Sequence, residues 1–264
     1  WEVLRNGVAI RNGSIADLVC DPQQTVNLAI PVDAFKVDQA AEYHLNLSFV
    51  LADDQWWAKA GFEVAHEQLA LPWGKREIQQ VAGNGELKLH RTRGLATVTG
   101  DHFSCAFDNT RGTMISYKVF GKEFMAEPLR LNFWRPPNDN DRGGNNMAKR
   151  CGMWRDAGDQ AAVVKSQMSE VDGAIVIRYR LNVPAGDTTA EIVYRIPRSN
   201  VVEVAVTVQP AGKVGDLPRV GMQCALIDDF DKWMWFGRGR GENYIDRQSA
   251  YPVGLWQGKV SDLW

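Results

Sequence analysis

The sequence predicts an all-β protein built from antiparallel, sandwich-like domains, and three observations predict it. Apolar and polar residues alternate at period two over several long stretches. Those stretches are rich in β-branched and aromatic side chains, and turn residues part them. Sustained helical periodicity with caps is missing.

The strands read as follows. "AEYHLNLSFVLA" (41–52), "AIVIRYRLNV" (174–183), "AEIVYRIP" (190–197) and "VVEVAVTVQP" (201–210) each alternate as a half-buried strand does. "PAGD" and "RSN" separate the last three as turns. "NNMAKRCGMWRDAG" (145–158) has room for one short helix. "LPWGKREIQQVAGNG" (71–85) breaks the alternation with Pro and Gly, which places a boundary there. The expected organisation is an immunoglobulin-like sandwich over 1–75, a linker over 76–85 and a longer β domain over 86–264. The chain opens inside the apolar run "WEVL" without an initiator Met and closes abruptly on "VSDLW". It therefore reads as an excised piece, with the first domain starting late and the second cut short.

Composition narrows the function classes. Hydrophobic residues make up 45% and charged residues 23% of the 264, with a net charge of −2. That is a globular balance, and Lys and Arg are scattered, so no nucleic-acid face is implied. No apolar run reaches membrane length, and the opening residues lack a signal-peptide pattern. Cys20, Cys105, Cys151 and Cys224 lie far apart without CxxC spacing, so they read as small buried hydrophobes rather than zinc ligands or a disulfide framework. The compartment stays open.

One stretch combines stiffness with polarity: "NFWRPPNDNDRGGNN" (132–146). Counted as a calcium loop from Asp139, it puts Asp141 at the third place, but Gly143 at the fifth and Arg150 at the twelfth, which excludes an EF-hand. A looser cation site stands beside a plainer reading. In the plainer one, Asp139, Asn140 and Asp141 organise a tight polar turn after Pro136 and Pro137, with Trp134 as its anchor. Gly143, Gly144, Asn145 and Asn146 follow as a segment able to move.

"GRGRGENY" (237–244) has Glu242 where a dinucleotide fingerprint needs its third glycine, and no amphipathic helix follows. Gly237 and Gly239 instead mark a bend, or backbone close to another surface. There is no GxSxG, and His44, His66, His90 and His102 have no ligand spacing. Acids are plentiful, but nothing in sequence pairs them as a glycosidase dyad. Ten tryptophans include the near-pairs Trp56 and Trp57, Trp233 and Trp235, and Trp256 and Trp264. Indole faces suit sugar C–H faces, and they equally suit cores and domain contacts.

Taken together, the motifs resemble a known family. "NFWRPPNDND", then "MWRDAG", then "GRGRGENYIDR" is similar to the C-terminal part of bacterial β-galactosidases of glycoside hydrolase family 2. "FSCAFDNTRGTMISYKVFGKEFM" resembles the opening of that family's last domain, and "WWAKAGFEVAHEQLALP" the closing strands of the preceding immunoglobulin-like domain. The order is right over almost the whole chain. Arg240 and Ile245 stand where the family pattern has proline, and Phe62 where it often has histidine.

The resemblance implies that the second domain is a large antiparallel β-supersandwich of the galactose-mutarotase-like type. It implies a retaining parent enzyme whose catalytic glutamates sit in a TIM barrel outside these residues, so no catalytic residue is expected here. Magnesium and sodium belong by the same resemblance to the parent, with no cofactor or metal in this piece. The implied partners are the barrel, a β-galactoside and further copies of the parent, with no nucleic acid and no membrane. The loop Asp139, Asn140, Asp141, Arg142, Gly143 and Asn145 would shape or close the substrate pocket. Trp134, Arg135, Trp154, Gly237, Gly239, Glu242, Asn243, Tyr244, Asp246 and Arg247 would be structural, with Arg135, Glu242, Asn243 and Arg247 in a buried polar network. Two other classes compete: an independent carbohydrate-binding module, and an assembly element with Trp56, Trp57 and Trp73 buried between domains.

Overall fold

The computed structural model describes residues 1–16, 18–76, 83, 85–241 and 243–263. The linker expected over 76–85 lies mostly outside them. The chain forms two compact units, one of Trp1–Gln79 with Asp231–Trp264, the other of Gln80–Phe230. The protein is all-β with antiparallel sheets, as the alternation predicts.

In the first unit β1 (Glu2–Arg5), β2 (Val8–Asn12), β3 (Tyr43–Val50) and β4 (Glu63–Leu71) make one antiparallel sheet in the order β2-β1-β3-β4. Val3, Ala41, Tyr43 and Leu45 form its buried centre, and Ile30, Val32, Phe35 and Val37 pack on it. Phe35, Tyr43 and Trp73 close this core as an aromatic trio with centroids 5.5 to 6.0 Å apart.

The second unit opens with β5 (Lys88–Arg91), β6 (Leu95–Gly100), β7 (Phe103–Asp108), β8 (Thr113–Val119), β9 (Lys122–Glu123) and β10 (Met125–Asn132). Next come β11 (Ala162–Val171), β12 (Ala174–Asn182), β13 (Thr189–Ile196), β14 (Glu203–Gln209) and β15 (Gly221–Leu226). One sheet runs β15-β10-β8-β7-β6-β5 with β9 beside β8, and the other runs β11-β12-β13-β14. The alternation explains why the sheets stack. Phe103, Cys105 and Phe107 of β7 are buried, as are Ala190, Ile192, Tyr194 and Ile196 of β13, all in one core. Each fully buried large side chain contributes about 1.5–3 kcal/mol. The buried tyrosines keep their hydroxyls satisfied: Tyr179 bonds Asn109 at 2.7 Å, and Tyr194 donates to the Gly112 carbonyl at 3.1 Å.

The last segment returns to the first unit as a hairpin, β16 (Lys232–Arg238) with β17 (Val253–Lys259). Its attachment is specific. The Gln68 amide donates to the Val253 carbonyl at 2.8 Å and accepts from the Val253 N–H at 2.7 Å, as a paired strand would. The Leu255 N–H reaches the Gly7 carbonyl at 3.3 Å, and a Cβ on Gly7 would meet that nitrogen at 2.3 Å. The first compact unit therefore draws on residues 1–79 and 231–264. Local patterning carries no trace of such a long-range return.

The cysteines divide. Cys105 and Cys151 are buried as expected, and burial pushes the Cys105 thiol up to about 12; Cys20 and Cys224 are exposed. All four are free.

Candidate functional site

The candidate site lies between the two sheets of the second unit, where the chain leaves β10 at Asn132 and enters β11 at Ala162. Phe133 and Trp154 are fully buried, ring edge to ring face at 5.5 Å, and fix both ends of this crossing in the core. The Trp154 indole N–H donates to the Gly215 carbonyl at 3.3 Å. A buried indole needs such a partner.

The stretch expected to be a tight polar turn is a one-turn helix, α1 (Asp139–Gly143). Asn138 caps it: its Oδ1 accepts from the Asp141 N–H, and Asp141 Oδ2 accepts from the Asn138 N–H, both at 3.0 Å. This reciprocal pair is a capping box with Asn and Asp in place of Ser and Glu. Pro136 and Pro137 bring the chain in extended, which sets the entry angle. The glycine pair then runs straight on, because Gly144 has φ −108° and ψ −31°, and neither glycine uses the left-handed region. α2 (Met147–Arg150) and a 3-10 turn at Gly152–Trp154 follow, with Met147, Cys151 and Trp154 buried beneath them.

Asp141 is the buried anchor of the loop. Arg135 reaches it with both arms, Nη1 at 2.5 Å from Oδ2 and Nη2 at 3.1 Å from Oδ1. Such a fork fixes geometry as well as charge. The Arg135 bonds, and next the Asn138 N–H, hold the Asp141 carboxyl below the usual carboxylate range against the opposing effect of burial. Asp141 therefore stays ionised with both oxygens occupied, which suits a strut and not a proton donor. Asp139, Asn140, Arg142, Gly143 and Asn145 are exposed above it.

Beside the loop is an open cleft of about 490 Å³ whose lining includes Trp134, Arg135, Pro136, Arg155, Arg219 and Gln223. Arg155 lies over the Trp134 ring at 5.0 Å, so one indole face is taken by a cation. Asn132 Oδ1 accepts from the Trp134 N–H at 2.9 Å and sets the ring's base. Asn132, Asn138 and Arg155 are contributors the sequence reading missed. The Asn138-x-x-Asp141 spacing was the one local signal for any of them.

The second motif lies in the first unit, beside the hairpin. Asn243 donates to the Arg238 carbonyl at 3.1 Å, and Arg247 approaches the Tyr251 hydroxyl at 3.5 Å. Tyr244 is about half exposed and its carbonyl accepts from the Arg247 N–H at 2.8 Å; Asp246 is exposed. Glu242 lies outside the described residues. The Gly239–Arg240 peptide is cis.

The glycines there serve close approach. A Cβ on Gly239 would meet Trp256 Nε1 at 2.9 Å and Trp235 Cζ2 at 3.1 Å, and one on Gly258 would meet Trp233 Cζ2 at 2.6 Å. The surface that the backbone approaches is the hairpin's own indoles. Trp233 and Trp235 stack at 4.4 Å, and the three indole N–H groups donate to the carbonyls of Lys259, Arg238 and Gly237. Those donors are spent inside the hairpin rather than turned toward a sugar.

No group of three or more His, Cys, Asp or Glu side chains placed to hold a metal occurs among the described residues. No described helix is long and apolar enough to cross a membrane.

Comparison with known proteins bears on what this arrangement belongs to. The family model described as beta galactosidase small chain matches residues 99–264. The chain belongs to that beta-galactosidase family. Beta-galactosidase domain 4 matches residues 1–72. A beta-galactosidase of Priestia megaterium is 30% identical over 263 residues, covering 99% of this chain and 25% of its own length. One from Clostridium acetobutylicum is 28% identical, covering 97% and 28%, and one from Alteromonas mediterranea is 32% identical, covering 100% and 28%. The chain thus spans about a quarter of the length of the curated relatives it matches.

Proposed function

We propose that these residues are the non-catalytic C-terminal part of a β-galactosidase-type retaining glycoside hydrolase. They shape the galactoside pocket and support domain and subunit assembly. Bond cleavage belongs to two carboxylates elsewhere in the whole enzyme, one as nucleophile and one as acid/base. Magnesium or sodium used by the whole enzyme is held outside this chain.

The observation that carries this reading is the construction of the 138–146 loop. An ionised, buried Asp141 is clamped by Arg135 and capped by Asn138, while Arg142, Gly143 and Asn145 stand exposed above it. A rigid base under a glycine-containing exposed segment is how a loop is placed accurately at the mouth of a pocket and still allowed to close. Arg142 and Asn145, both exposed, are the side chains this reading assigns to substrate contact.

The test uses the whole enzyme with Arg142→Ala and Asn145→Ala. Each lowers kcat/KM on a β-galactoside and leaves the thermal midpoint within error of the parent. Unchanged kcat/KM in both would remove the loop from the pocket.

A further inference from the structure

We infer that the β16–β17 hairpin is an acid-released latch on the first sheet, with His44 as the proton-sensing group beneath it. Strand register fixes the face that His44 occupies. It lies directly opposite Leu4 on β1 and Ala70 on β4, and Glu2, Asn46 and Gln68 are aligned one row along on the same face. Tyr43 and Leu45 point the other way, into the first unit's core. Gln68 is the side chain that holds Val253, so the hairpin docks on the His44 face. Leu4 and His44 are each 5% exposed there, although they point away from the core. The docked hairpin accounts for that burial, since its Leu255 N–H also reaches Gly7 in the β1–β2 turn.

The groups around the ring make this position sensitive to a proton. β1 and β4 set uncharged Leu4 and Ala70 against it, with Glu2 and Gln68 one row on. Glu42, from the segment before β3, brings Oε1 to 3.4 Å from His44 Nε2. Arg238 acts from β16, where it pairs with Val253, the residue that Gln68 holds. Nδ1 has no partner among the described residues. A proton added there would leave a buried N–H without an acceptor and a second cation facing Arg238. Burial first, and Arg238 in the same direction, therefore keep the ring neutral while the hairpin is docked, with Glu42 opposing them.

Undocking lifts that constraint. A ring open to water takes its proton at about pH 6.5. Each pH unit below that value then favours the undocked state by up to about tenfold, until the docked ring protonates as well. The hairpin is built to leave as a unit. Its own ladder runs from Lys232 to Arg238 against Val253 to Lys259, and it forms a sheet separate from β4. The Gln68 amide pair, the Leu255 bond to Gly7 and Arg76 over the Phe236 ring at 4.5 Å tie it down in place of a continuous strand pairing. Such an element opens locally without unfolding the rest. The inference concerns the first unit alone and does not depend on the pocket reading.

The experiment is hydrogen exchange of the whole enzyme from pH 7.5 to pH 5, read at single amides and expressed as protection, which removes the intrinsic pH dependence of exchange. The Val253 and Leu255 N–H groups report docking, because they donate to Gln68 and Gly7. The β13 amides report the second unit's core. Expected is protection at Val253 and Leu255 that falls several-fold between pH 6.5 and pH 5, while β13 keeps its protection. In His44→Gln and His44→Leu, two neutral replacements, that fall is absent. Protection at Val253 and Leu255 that stays flat in the parent overturns the inference. So does a fall shared equally by β13, which is global unfolding, or one that persists in either folded variant.

Discussion

Arg135 and Asp141 meet across a double-proline bend with two hydrogen bonds, at 2.5 and 3.1 Å, and the carboxylate they share is 6% exposed. Removing Arg135 leaves the buried Asp141 carboxylate without the fork that neutralises it, the costlier kind of loss. Arg135→Gln and Asp141→Asn each lower the thermal midpoint of this chain and speed amide exchange over 138–145. Arg135→Lys keeps the charge and loses the fork, so it recovers part of the loss. A parental midpoint and parental exchange in Arg135→Lys would show that charge alone holds the loop.

Glycine positions separate packing from motion. Gly239→Ala drives a Cβ into Trp256 and Trp235, and destabilises by about 1–3 kcal/mol. A Cβ on Gly143 meets nothing within 4 Å, and its backbone is helical, so Gly143→Ala stabilises by about 0.5–1 kcal/mol. In the whole enzyme the same Gly143→Ala lowers kcat, because a stiffer segment closes less readily. Chemical denaturation and steady-state kinetics check the two halves.

Trp154 fills the end of the second unit's core and is fully buried. Trp154→Ala costs about 3–5 kcal/mol, and guanidinium titration reads it as a lower midpoint with an unchanged slope.

His44 sets a pH dependence. It is 5% exposed, and its Nδ1 finds no partner among the described residues. Burial pushes its pKa below the usual 6.5, Glu42 opposes this, and Arg238 adds to it. A folded-state pKa below the unfolded value means that the unfolded chain takes up the proton first as pH falls. Stability is therefore full above the ordinary histidine range and declines as pH drops through 6.5 toward the lowered value. Melting curves from pH 7.5 to pH 5 in parent and His44→Leu check this against ~6.5 for an unperturbed histidine. The slope flattens in the variant over that window.

The strands were legible in the sequence because period-two patterning is local: "AEIVYRIP" became β13 with every second side chain buried. The class of the domains was legible for the same reason. Pairings between distant segments were not. Gln68 binding Val253 and β15 joining β10 depend on contacts that no window of residues encodes. At the site, the reading put Asp141 in a polar turn and did not pair it with Arg135; the network expected for Arg135 with Glu242, Asn243 and Arg247 includes Glu242, which lies outside the described residues. The clamp between Arg135 and Asp141 spans six residues and two prolines, a geometry without a sequence period. Trp56 and Trp57 show the opposite case, apolar residues that the pattern would bury and this chain leaves in water.

The most direct measurement is hydrolysis of a chromogenic β-galactoside by this chain alone, by the remaining portion of the whole enzyme alone, and by the two mixed. The account predicts no turnover from this chain and recovery of turnover on mixing. Clear turnover by this chain alone, abolished by Asp141→Asn or by Glu242→Gln, would place a carboxylate pair within these residues and contradict it.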